Sequence, residues 1–130
     1  MNSRRLREVM YPAISIGPTE SIRAAAERMI EADVPAILVV DDGKIIGLLS
    51  NRDLVAKAVA LSLSPDSTKV GDVMSNQPIR ISDDRDISSA LLVMQVRNVH
   101  QLLVQDITGR AVGVFCNCGC NICNEGAANG

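Results

Sequence analysis

Rings are almost missing from this chain: it has one Tyr, one Phe and no Trp, so aromatics make up 2% of its 130 residues. Without exposed rings there is no platform on which single-stranded bases could stack. Basic charge is not in excess either. Thirteen Lys and Arg stand against 15 Asp and Glu, a net charge of −2 that leaves no basic face for a duplex, and no nucleic-acid partner is expected. Apolar residues reach 47%, yet no uninterrupted run approaches the roughly 18 residues of a membrane helix. Positions 1–10 carry Arg4, Arg5 and Arg7 without the apolar region of a secretion signal, so a soluble, cytoplasmic protein with no membrane partner is expected. Cysteine is absent before position 116; Cys116, Cys118, Cys120 and Cys123 crowd together and cannot staple the fold. Histidine occurs once, as His100, and the chain has neither a Gly-x-Ser-x-Gly elbow nor a Gly-Lys-Ser/Thr phosphate loop. No catalytic constellation remains, and a binding protein rather than an enzyme is expected.

What the chain does have is an internal repeat. Val9-Met10 matches Val73-Met74, Ile14-x-Ile16 matches Ile79-x-Ile81, Ile22 matches Ile87 and Met29 matches Met94. Val34, Val39, Asp41 and Gly47 match Val99, Val104, Asp106 and Gly113. In the first copy, Pro18-Thr19-Glu20 opens a helix with Ile22, Ala25, Ala26, Met29 and Ile30 on one face. Ala36 to Val40 and Lys44 to Leu49 read as buried strands joined by a turn at Asp41-Asp42-Gly43. Ser50-Asn51-Arg52-Asp53 has a capping hydroxyl followed three residues later by an acid, so a second helix is predicted through Leu61. The second copy repeats the order, with a cap at Asp83 or Asp84, a stripe Ile87, Ala90, Leu91, Met94, and strands Gln101 to Gln105 and Ala111 to Phe115. Its last helix is missing: Cys116-Asn117-Cys118-Gly119-Cys120 stands there instead. The expected fold is α/β, two β-α-β-β-α repeats over 8–63 and 70–115 packed as a pseudo-two-fold pair, with a Cys-rich tail over 116–130.

The opening of that last helix has chemistry of its own. A helix N-terminus offers unpaired N–H groups and a partial positive charge, which suits a phosphate. A carboxylate at the third helical position can accept two hydrogen bonds from a vicinal diol such as the ribose 2′ and 3′ hydroxyls. Arg52 adds a cation, and the backbone at Ile14, Ser15 and Ile16 and at Val34, Pro35 and Ala36 would enclose a purine between aliphatic walls. The competing reading is that Ser50 and Asp53 form a capping box and nothing more.

With these residues in view, the two copies resemble a tandem pair of cystathionine beta-synthase (CBS) domains, a Bateman module, over Val9 to about Phe115. The resemblance rests on the Val-Met before each first strand, on Val39-Val40-Asp41 and Val104-Gln105-Asp106, and on Gly47-Leu48-Leu49-Ser50-Asn51-Arg52-Asp53, which is similar to the family's nucleotide motif. It departs where the family commonly has proline: Leu38 and Leu103 stand there. In the second copy Cys116 and Gly119 take the places of the motif hydroxyl and acid. The resemblance implies a regulatory module, commonly a homodimer, that senses AMP, ADP, ATP or S-adenosylmethionine in a cleft between the repeats. It puts Ser50, Asn51, Arg52 and Asp53 on the ligand, and His100 near the cleft. Arg80 and Arg97 are further phosphate candidates; the competing reading is a half-exposed structural residue for His100 and a solvated charge for the two arginines.

The cysteine run leaves several readings open. Cys120-Asn121-Ile122-Cys123 has the spacing of one zinc knuckle. A four-thiolate zinc site on Cys116, Cys118, Cys120 and Cys123, a site shared across a dimer, an iron-sulfur cluster, a redox-active pair and a plain reduced tail all fit that spacing. The run supports an alternative function: a metal- or redox-responsive protein that uses the CBS pair as a dimerisation scaffold.

Overall fold

A computed structural model describes residues 4–117. In chain order the elements are α1 (Leu6–Val9), β1 (Tyr11–Pro12), β2 (Ser15–Ile16), α2 (Ile22–Ala32), β3 (Ala36–Asp41), β4 (Lys44–Ser50) and α3 (Asn51–Asp53), which continues as a π-helical segment (Leu54–Val59). Then follow α4 (Val70–Val73), β5 (Ser75–Asn76), β6 (Arg80–Ser82), α5 (Ile87–Arg97), β7 (Gln101–Gln105) and β8 (Ala111–Cys116). The described residues form two compact units, one of residues 13–78 and one of residues 4–12 with 79–117.

The unit of residues 13–78 is built on a sheet of order β2-β3-β4-β5, with β2 parallel to β3 and the other pairs antiparallel. Asp42 and Gly43 both take positive φ, 51° and 76°, which is what the tight β3–β4 hairpin demands. The helix α2 starts at Ile22, two residues after the proline-threonine-glutamate run expected to open it. Ser21 is the cap, its hydroxyl accepting from the Ala24 N–H at 3.1 Å. Ile22, Ala25 and Met29 are buried, but Ile30, expected on the same face, is 80% exposed, so the apolar stripe is narrower than the spacing suggested. Asp33 closes the helix in the left-handed conformation at φ 56°. Arg23 and Asp66 form a forked ion pair that ties α2 to the loop before α4, and the Arg23 guanidinium holds the Asp66 carboxyl below its ordinary pKa.

The other unit has the order β1-β8-β7-β6, again with one parallel pair, β6 with β7. Leu6, Ile81, Ile87, Ala90, Met94, Leu102, Val104 and Phe115 form its core. Its helix is capped by Asp86, not by Asp83 or Asp84: the Asp86 carboxylate accepts from the Ser89 N–H at 2.8 Å, while the Asp83 N–H is used on the Gln105 carbonyl. The short strands β1 and β5 and the four-residue helices α1 and α4 precede the first strand expected in each repeat and have no counterpart in the expected order. These leaders cross over: β1 pairs with β8, and β5 pairs with β4. The residues that would form the last helix of the second copy fall after position 117, outside the described residues. Among the described residues no helix is long and apolar enough to cross a membrane.

Candidate functional site

The residues from Ser50 to Asp53 sit where β4, one of the most buried strands, hands over to α3. Ser50 is 1% exposed and Asp53 7%, and they are the buried polar side chains among the described residues. The capping box expected from the sequence forms in full: the Asp53 N–H donates to Ser50 Oγ at 3.1 Å, and the Ser50 N–H donates to Asp53 Oδ2 at 3.0 Å. Ser50 Oγ also lies 3.1 Å from Oδ2. One carboxylate oxygen is thereby committed to the helix start.

The other oxygen faces elsewhere. Asp53 Oδ1 accepts from the Ser75 hydroxyl at 2.9 Å and lies 3.4 Å from Lys57 Nζ, which itself donates to the Val73 carbonyl at 3.0 Å. Ser75 and Lys57 were not singled out in the sequence. Lys57 stands one helical turn after Asp53, a spacing that could have been noticed; Ser75 is brought in only by the pairing of β5 with β4, through Leu48 and Ser75.

The remaining expected residues of this unit surround the same corner by backbone contacts. The Asn51 N–H donates to the Pro35 carbonyl at 2.9 Å, which fixes the loop before β3 against the helix start. The Ile14 carbonyl accepts from the Leu38 N–H at 2.7 Å. Arg28, which the sequence reading passed over, donates to the Ser15 carbonyl at 3.0 Å. Ile16, Val34 and Ala36 are buried, whereas Arg52 and Asn51 are exposed at the surface. An open groove of about 460 Å³ runs beside α2, and of the expected residues Val34 and Asn51 line it, together with Asp33, Leu54 and Val55. Asp53 is not among its walls.

Arg80 and His100 belong to the other unit. Arg80 is exposed on β6 with Nη1 3.4 Å from Gln105 Oε1, and the His100 carbonyl accepts from the Asn117 N–H at 3.1 Å. Arg97 is exposed near the end of α5. At the position corresponding to Ser50 stands Cys116, which ends β8 opposite Gln101, is 1% exposed and is disulfide-bonded. Cys118, Cys120 and Cys123 lie outside the described residues, and among the described residues no cluster of three His, Cys, Asp or Glu could hold a metal ion.

Comparison with known proteins fits this layout. The family profile described as "CBS domain" matches residues 6–60 and 70–116. An uncharacterized protein of Methanopyrus kandleri is 28% identical over 88% of this chain, a match that spans 59% of that protein. The chain thus covers little more than half the length of that relative. Among solved structures, the CBS domain pair of protein MJ0100, crystallised with 5′-methylthioadenosine and S-adenosyl-L-methionine, superposes with a TM-score of 0.76 at 22% identity, covering 98% of this chain and 99% of that one. Hypoxic Response Protein I, solved with two coordinated zinc ions, superposes with a TM-score of 0.65 at 28% identity, covering 87% and 92%.

Proposed function

The chain belongs to the CBS-domain family as a tandem pair of repeats, and from that premise we propose that it is a regulatory ligand-binding module whose first repeat seats the ribose of an adenosine-containing ligand on Asp53. The observation that carries this reading is the division of labour on one buried carboxylate. Oδ2 is spent on the cap, and Oδ1 is held by groups that are themselves near the surface. A diol docking on Oδ1 leaves the helix start intact. Capping alone needs only the first oxygen, so the burial and orientation of the second favour a binding role beside the structural one. The exposed N-terminal turn with Arg52 is suited to the phosphates of AMP, ADP or ATP, or to the tail of S-adenosylmethionine. The adenosyl compounds in the MJ0100 pair support this ligand class.

In this reading ligand occupancy shifts how the module packs on a twin subunit or a regulated partner. Ile30, Val55 and Val59, exposed on the helices of the first repeat, support self-association through that face. The second copy, with Cys116 in place of the motif hydroxyl, is not assigned a nucleotide.

A thermal-shift panel of AMP, ADP, ATP and S-adenosylmethionine tests the proposal. A true ligand at about 100 times its dissociation constant adds about 2.7 kcal/mol of stability. Asp53→Asn, which keeps the side chain's volume, is expected to lose most of that gain while still folding. No shift with any of the four, or an equal shift in the variant, overturns the reading.

A further inference from the structure

The two oxygens of Asp53 have donors of different kinds. Those on Oδ2 both come from Ser50 and start the helix. Those near Oδ1 come from Ser75 on β5 and from Lys57, and neither is needed to begin α3. The Ser75 hydroxyl donates to this oxygen as a ribose hydroxyl would, with the Lys57 ammonium 3.4 Å away as a neighbouring charge. Asp53 is 7% exposed, whereas Ser75 is exposed and the Lys57 side chain is 42% exposed, so the groups beside Oδ1 are the more accessible ones.

Resting on the ribose reading above, we propose that Ser75, with Lys57 beside it, is an internal stand-in for the ribose diol: its hydroxyl satisfies Asp53 Oδ1, gives way to the ligand on binding, and so lowers the site's affinity. A buried carboxylate oxygen without a donor is costly, which is why the free protein keeps these donors close. In the complex the ribose hydroxyls take their place. The Ser75 hydroxyl therefore stabilises the free protein and not the complex, and its removal raises the energy of the free protein alone.

Removing it has effects of opposite sign. Ser75→Ala melts earlier than the wild type in the absence of ligand, yet binds AMP about three- to tenfold more tightly, the factor that one ordinary hydrogen bond represents. Ser75→Thr, which keeps a hydroxyl, returns both quantities to the wild-type values. A residue that only props β5 would lower the melting temperature without tightening binding, and a residue that contacts the ligand would weaken it.

Calorimetric titration of AMP into the three proteins, paired with thermal melts, decides the matter. Tighter binding by Ser75→Ala, reversed in Ser75→Thr, supports the stand-in. Unchanged or weaker binding by Ser75→Ala overturns it while leaving the ribose site in place. If wild-type protein binds AMP and 2′,3′-dideoxy-AMP equally, the ribose reading itself fails, and the stand-in fails with it.

Discussion

At the scale of single residues, the chain uses carboxylates as local hydrogen-bond acceptors. Asp86 is held below its ordinary pKa of 3.8, chiefly by its hydrogen bonds with Ser89, with Arg5 and Arg85 adding attraction. Asp106 is lowered in the same sense, first by Thr108, then by the backbone of Arg110 and Thr108 and by the Arg110 charge. A carboxyl whose folded pKa is depressed binds its proton more readily when unfolded, so its stabilisation is present above about pH 4 and is lost as the pH falls through the folded value. Melting temperatures are therefore expected to fall as the pH drops below about 4. Asp86→Asn retains an N-cap at pH 7 and should show a shallower acid decline than the wild type. Melts followed by circular dichroism at pH 7 and pH 3.5 check this, and an unchanged difference between the two pH values would contradict it. The sequence made the acid-rich stretch from Asp83 to Asp86 legible as a helix start but not which acid caps it. Three acids lie within one turn, and the backbone decides: Asp83 is drawn to β7 through the Gln105 carbonyl.

At the scale of elements, the periodic segments were legible and the short ones were not. The strands β3, β4, β7 and β8 follow from continuous apolar runs; β7 has the expected limits and the other three run one residue further. Two-residue strands and four-residue helices have no period to detect, so α1, β1, α4 and β5 were visible only as the Val-Met marks before each copy. The π-helical segment after α3 was equally hidden, because apolar spacing over six residues does not separate the two helix types. The close approach of the leaders has one exacting site in each unit. A Cβ on Gly47 would stand 2.7 Å from both Met74 Sδ and the Ser75 carbonyl, and one on Gly113 would stand 2.6 Å from Met10 Sδ and 2.5 Å from the Tyr11 carbonyl. Glycine is required there by the neighbouring strand, not by a turn. Gly47→Ala is expected to cost about 1–3 kcal/mol, as overpacking does, and to displace β5 with Ser75 from Asp53. Urea unfolding measures the first effect; a midpoint within error of the wild type would refute the packing described.

At the scale of the whole molecule, the repeats seen in the sequence and the compact units are cut differently. The leader of the first copy completes the sheet that carries the second. Leu6, ahead of the first repeat, is fully buried in the core with Phe115 and Leu102, and backbone bonds from Leu6 and Arg7 to Arg85 and Asp83 hold it there. The leader of the second copy does the same for the first: Val70 is fully buried and its N–H donates to the Glu20 carbonyl. Leu6→Ala should accordingly cost about 2–5 kcal/mol, the usual loss for a buried leucine, with hydrogen exchange accelerating in β7 and β8; faster exchange confined to β3 and β4 would contradict the crossing. The crossing also explains how a serine from the leader of the second copy comes to stand on the acid of the first. The claim on which the functional account turns is that this acid receives a ribose diol. It is tested most directly on the unmodified protein, by titrating AMP and 2′,3′-dideoxy-AMP into it in a calorimeter. The account predicts that AMP binds and that the dideoxy compound binds at least tenfold more weakly; equal affinity for the two, or no heat with either, would contradict it.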